Sequence, residues 1–211
     1  KYKINSAGEI TDADGDIAVD DSTGYFLDTA RSFWSSVPDG QDVRAGGAAS
    51  HLDASRTVYT VTSNNPNPRD IRLSLPGNTI GISNGAITRA MLGLNSDVDN
   101  DTRSRLIEWI LGYDREDDGP HRFFADPLHT RPVVVTYGGH PDDPDNPPDD
   151  TVYIMTNDGT FRAIDASSGD ELFAFIPREL LPNQLLYFAN DPDGNKVYGL
   201  DGSMTAWRRE R

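Results

Sequence analysis

The sequence predicts a mainly β fold, and three observations carry that expectation. Nineteen glycines and fourteen prolines punctuate the 211 residues, which suits many short strands joined by turns better than long helices. Period-two runs of apolar and β-branched residues recur, most densely after residue 131. Helical spacing is read over one stretch, residues 84–112.

Residues 1–32 mix acidic turns with scattered apolar positions such as Ile10, Ile17, Val19 and Phe26. Residues 56–63 (RTVYTVTS) alternate as a strand does. Residues 70–75 (DIRLSL) alternate again before a turn signal at Pro76 and Gly77. One or two short helices are expected between residues 84 and 112. Ala86, Ile87, Ala90, Met91 and Leu94 form one apolar face; Leu106, Ile107, Ile110 and Leu111 form a second, with Trp109 beside it. Asp101 or Thr102 is the expected cap of the second helix and Gly112 its stop.

Residues 132–137 (PVVVTY) read as a strand. Residues 140–150 (HPDDPDNPPDD) hold four prolines and five aspartates in eleven positions, a solvated loop that is long for a hairpin. Residues 151–156 (TVYIMT) resume the strand pattern. Residues 152–177 then divide into strand, Asn-Asp-Gly turn, strand, Ser-Ser-Gly turn and strand. Three antiparallel strands with tight glycine turns make most of one propeller blade. Residues 187–189 and 196–200 are expected to begin the next blade. Blades run ~40–50 residues and rings hold at least four, so the chain predicts a partial β-propeller with open edges that another chain or further sequence covers. Two units are expected: 1–130, a mixed β and helical segment with an acidic loop, and 131–211, the blade segment.

Acidic residues number 34 against 19 basic ones, for a formal net charge of -15. That field repels a phosphate backbone and disfavours anionic membrane surfaces, so no nucleic-acid partner is expected. Divalent cations are favoured, calcium above all, because it takes hard oxygen ligands. With no cysteine, disulfides, Cys-ligated zinc, iron–sulfur clusters and thiol catalysis are excluded. No apolar run approaches the ~20 residues of a membrane span. The sequence opens at Lys1 rather than Met, and is expected to be a segment or processed product of a longer chain.

Seven landmarks carry a family resemblance. They are SFWSSVPDG (32–40), AGGAAS (45–50), LIEWILGYD (106–114), DPLHTRPVVV (126–135), TNDGTFRAID (156–165), GDELFAFIPRELLPN (169–183) and VYGLDG (197–202). Residues 152–177 are similar to the repeat of quinoprotein-type propellers. The landmarks together resemble the C-terminal propeller of PilY-class type IV pilus proteins over residues 32–202. The resemblance implies an exported protein of the bacterial cell surface that serves pilus biogenesis and surface adhesion. Pilin or other pilus-assembly subunits, and a host or abiotic surface, are the partners it implies. Family members usually continue past the VYGLDG region, where a calcium loop is found. That loop and the large N-terminal adhesive domain are not among these 211 residues, so calcium-regulated retraction is not carried over.

The metal candidate read from the residues is DADGDIAVDD (12–21). Asp12, Asp14, Asp16 and Asp20 occupy positions one, three, five and nine of a calcium loop. Ile17 stands where the sixth-position glycine belongs, and Thr23 where a bidentate Glu belongs, so an acidic turn is the competing reading. Asp97, Asp99 and Asp101, with Glu108 at position twelve, read better as helix-capping groups. Asp191, Asp193 and Asn195 read better as a β-turn. Residues 81–85 match the G-x-S-x-G pattern around Ser83, but residues 78–80 are too short and polar for the strand a nucleophile elbow needs. The histidines at 51, 121, 129 and 140 lack metal-ligand spacing. A non-catalytic structural module is therefore expected, with a calcium-dependent adhesive form second and a quinoprotein-like or serine hydrolase enzyme third.

Overall fold

The computed structural model describes residues 2–40, 42, 45–53, 55–63, 72–115, 119–120, 123–190, 194 and 197–207. Its elements run β1 (Lys3–Ile4), β2 (Ile10–Thr11), the single-turn helix α1 (Gly47–Ser50), β3 (Val58–Tyr59), α2 (Asn100–Ile110), β4 (Tyr113–Asp114) and β5 (Gly119–Pro120). They continue with β6 (Val133–Thr136), β7 (Asp150–Met155), β8 (Phe161–Asp165), β9 (Glu171–Phe175) and α3 (Leu181–Ala189). The fold is β-rich with few helices. No described helix is long and apolar enough to cross a membrane.

The organising element is a five-stranded sheet of order β3-β9-β8-β7-β6. Strands β6 to β9 form an antiparallel meander, and β3 adds parallel to β9 through Val58–Ala174 and Tyr59–Phe175. The Asn157-Asp158-Gly159 turn joins β7 to β8. Gly159 takes a left-handed φ of 87°, and a Cβ there would lie 2.8 Å from Leu180 Cβ, so glycine is required on both counts. Asp158, 2% exposed, closes the turn by accepting from the hydroxyls of Thr156 and Thr160 and from the Thr160 N–H. Gln184 of α3 donates to the Asp158 carbonyl at 2.7 Å. The long acidic loop joins β6 to β7, as its position in the sequence predicts. Among the described residues no ring of blades closes.

One sheet face packs on helices. Leu106, Ile107 and Ile110 of α2 meet Val58, Ala174, Ile176 and Leu181 in the core, their 3–4 spacing giving α2 one apolar side. Asp99 caps α2 by accepting from the Thr102 N–H at 2.7 Å. Gly112, at φ 89°, follows its C-terminal end, where a Cβ would lie 2.9 Å from the Asp53 carbonyl. Pro182 stands in the first turn of α3, where its missing N–H costs nothing. Residues 32–40 are a polar knot: Ser32 and Ser35 donate to the Asp39 carboxylate. Trp34 from this knot lies against Gly169 and donates to the Ala166 carbonyl at 3.0 Å. That contact fastens the N-terminal region to the β8–β9 turn.

Several expected elements differ. Residues 86–94 give only a 3-10 turn, Ala90–Leu92, ended by Gly93 at φ 74°. Gly93 admits Pro182 of α3 so closely that a Cβ would lie 3.0 Å from it. Residues 56–63 pair only at Val58–Tyr59. Residues 72–75 lead into a second 3-10 turn, Pro76–Asn78, instead of a strand, while 70–71 lie outside the described residues. Residues 187–189, expected to open a further blade, are the last turn of α3. Residues 197–200 form a strap that bends at Gly199 and Leu200 instead of a strand, and 196 lies outside the described residues. Two strap amides, Gly199 and Leu200, donate to the carbonyls of Asn157 and Thr156.

A buried ionic cluster links the sheet to α2. Glu171 receives Arg56 Nε at 2.7 Å and Arg162 Nη1 at 2.6 Å. Their side chains are only 4%, 8% and 1% exposed, in the order Glu171, Arg56, Arg162. Arg56 also donates to the Ile110 carbonyl at the end of α2, and Arg162 lies over the Phe124 ring. Burial alone would push the Glu171 carboxyl up, but the two guanidiniums outweigh it and hold it below the usual range. Removing one partner of such a cluster strands the remaining charge, so Glu171→Gln is expected to cost about 3–5 kcal/mol in a urea titration. A depressed carboxylate pKa stabilises the fold above its unfolded value, and this is lost as pH falls through the folded value. Wild-type stability is therefore expected to hold above about pH 5 and decline below about pH 4, with a weaker acid dependence in Glu171→Gln.

Candidate functional site

The acidic loop folds as a short hairpin turn. Thr11 and Ile17 bridge antiparallel across it, and Gly15, at φ 92°, takes the left-handed position. Asp12 is 4% exposed, and both of its carboxylate oxygens are engaged. Oδ1 accepts from the N–H groups of Asp14 and Asp16, and Oδ2 from that of Arg31. Asp14 accepts from Arg31 Nε at 2.8 Å and Nη2 at 2.5 Å. Asp16 is exposed, and its carbonyl accepts from the Asp12 N–H. Asp20 accepts from Ser22 and Thr23 in its own turn. These hydrogen bonds hold the Asp14 and Asp20 carboxyls below their ordinary range, chiefly through Arg31 and Ser22 respectively. Asp12, Asp14 and Asp20 thus each accept hydrogen bonds from within the protein. Among the described residues no three His, Asp or Glu side chains are gathered as a metal shell.

Several of the remaining sequence candidates have protein partners. Asp99 is the α2 cap, and Asp101 and Glu108 both pair with Arg115. Ser83 lies exposed on a turn before the Ala90–Leu92 3-10 turn. Beside it Asn84 donates to the carbonyls of Gly77 and Thr79, and Arg103 braces those of Ile82, Asn84 and Ile87. His51 lies 2.8 Å from both the Trp34 carbonyl and Asp170. His129 pairs with Asp201 at 2.6 Å, and His140 is exposed near Asp142. His121, Asp191, Asp193 and Asn195 lie outside the described residues.

The feature that period-two reading of the strands points to, without identifying, is the second face of the sheet. Alternation places Tyr153 and Met155 of β7, Phe161 of β8 and Phe173 of β9 on the side away from α2 and α3. Tyr153 stacks on Phe161 with centroids 5.4 Å apart, and Phe173 bridges Phe161 to Tyr59 at 6.4 and 6.2 Å. Beyond them Tyr137 is 59% exposed and its hydroxyl meets that of Tyr153. Toward the β6 edge this face opens into a groove of about 560 Å³ between the sheet and residues 204–207. Such a contiguous aromatic and aliphatic surface marks a contact site more often than a solvated wall.

The protein resembles part of one curated relative. It is 44% identical over 55 residues to a type IV pilus biogenesis factor PilY1 homolog of Xylella fastidiosa, strain Temecula1. The aligned segment is 26% of this chain and 4% of the Xylella protein. This supports a PilY-like, type IV pilus-related character at that coarse level. No family model and no solved structure matches the chain.

The Asp12 geometry makes that carboxylate a structural group in its own right. Asp12→Ala removes an acceptor of three N–H donors, and bonds to a charged acceptor contribute about 1.5–3 kcal/mol each before relaxation. In chelator-treated buffer, Asp12→Ala is expected to lower the thermal midpoint clearly, whereas Asp16→Ala is expected to leave it nearly unchanged.

Proposed function

We propose that this chain is a non-catalytic structural and interaction unit of a type IV pilus-associated protein, carried on the bacterial cell surface. The 44% identical stretch shared with the Xylella pilus biogenesis factor homolog is the observation that supports it. In this reading the β6–β9 meander is one blade of a quinoprotein-like propeller, and adjoining blades or pilus subunits cover its edges. The tight glycine turns at Gly159 and Gly169 suit the hairpins of such a blade. A non-catalytic role accords with Ser83 on an exposed turn, and with the described histidines lying beside Asp or backbone partners. The role comprises pilus biogenesis and adhesion.

Immunogold labelling of whole bacteria and of sheared pili tests this. Label on the cell surface and on the pilus fraction is expected, together with loss of surface pili when the coding region is deleted. Label confined to the cytoplasm, with piliation intact in the deletion, contradicts the proposal.

A further inference from the structure

The groove at the β6 edge combines an apolar lining with an acidic end, and that combination selects an occupant. Val133, Val135, Met155 and Phe161 line it from the sheet, and Met204 and Trp207 from the opposite side. Among the described residues that line it, none carries a charge. At the end of β6 the chain turns at Tyr137 into the acidic hairpin, where Asp142, Asp143 and Asp145 are all exposed. Residues 137–150 contain no Lys or Arg, and His140, 3.9 Å from Asp142, is the one side chain of basic type in the hairpin. The hairpin is closed on itself: Tyr137 N–H donates to the Asp149 carbonyl, Asp149 N–H to Gly138, and His140 N–H to Asn146. Tyr137, the first residue of the hairpin, lines the groove, so the hairpin continues directly from the groove's end. Among the described residues β6 is also the last strand in the sheet order, and a last strand presents an outer edge for main-chain pairing.

We infer that this groove docks an extended polypeptide segment whose apolar side chains enter the groove and whose Lys or Arg residues meet the acidic hairpin. The apolar side chains supply the burial, the free edge of β6 supplies main-chain hydrogen bonds, and the aspartates set orientation. An acidic segment of the same shape is rejected by like charge. The inference stands on the groove and the hairpin alone, whichever assembly the chain serves. Trp207, 85% exposed at the rim, is an aromatic anchor of the kind that dominates such contacts.

Fluorescence anisotropy with the full chain and two labelled synthetic peptides tests it. One peptide is Val-Thr-Val-Tyr-Lys-Lys, and the other replaces both lysines with glutamate. The basic peptide is expected to bind at least about tenfold more tightly at low salt, with the difference shrinking as salt screens the charges. The triple variant Asp142→Asn/Asp143→Asn/Asp145→Asn is expected to lose most of that discrimination. The double variant Tyr137→Ala/Trp207→Ala, altering exposed side chains, is expected to weaken both peptides about tenfold. Unchanged circular dichroism melting curves show that either variant is folded. Equal affinity for the two peptides overturns the inference, as does binding indifferent to both variants. A sedimentation profile showing dimers that Trp207→Ala dissolves, with no peptide binding, assigns the face to a second copy instead and also overturns it.

Discussion

The fold depends on one buried carboxylate. Glu171 stands at the start of β9 with Arg162 beside it on β8 and Arg56 reaching from the segment before β3. Removing these charges from water is costly, and the arrangement persists only because each is paired and hydrogen-bonded. An irregularity in pairing between Ala163 and Ile164 sets Glu171 opposite Ile164, on the same side as Arg162. Arg56 then donates to the carbonyl of Ile110, the last residue of α2. A single ionic cluster thus joins the first half of the chain to the meander. It also specifies register, because a one-residue slip in β9 would turn Glu171 away from both guanidiniums.

This cluster gives the sheet two unlike faces. On one side lie the charges and the core between α2 and α3, closed to solvent. On the other lie Tyr59, Phe173, Phe161 and Tyr153, packed ring against ring but only half covered. A sheet with one finished face and one aromatic face leaves the second open to contact. Several polar groups elsewhere in the chain are engaged locally. Asp39 binds Ser32 and Ser35, Asp12 orders its own turn, and Asp165 holds Ser167 and Ser168.

Much of the meander was legible in the sequence, because its information is local. Alternation within residues 151–156 and 161–165, with Gly159 and Gly169 at the turns, marks strands and hairpins without long-range knowledge. Helix α2 was legible for the same reason, although its cap is Asp99 and not Asp101 or Thr102. Helix α3 was missed, although Leu181, Leu185 and Phe188 keep helical spacing and Pro182 stands in the first turn. The adjoining strand pattern drew the reading toward a further blade. Residues 86–94 failed in the opposite sense: their spacing suits a helix, but Gly93 and the close approach of Pro182 leave room for one 3-10 turn. The acidic loop was read from alternate aspartates, a pattern that an Asp-Gly turn shares with a calcium loop. Only coordinates reveal that Asp12 spends both oxygens on backbone N–H groups and Asp14 on Arg31. The parallel pairing of β3 on β9 and the Glu171 cluster join residues more than a hundred positions apart, and no local signal encodes that.

Native-state hydrogen exchange tests most directly whether the Glu171 cluster unites the two halves. The account predicts that amides of α2, β8 and β9 exchange with one common opening free energy, and that Arg56→Met lowers all three together. Protection that persists in β8 and β9 while α2 opens independently, or that falls in α2 alone in the variant, would contradict it.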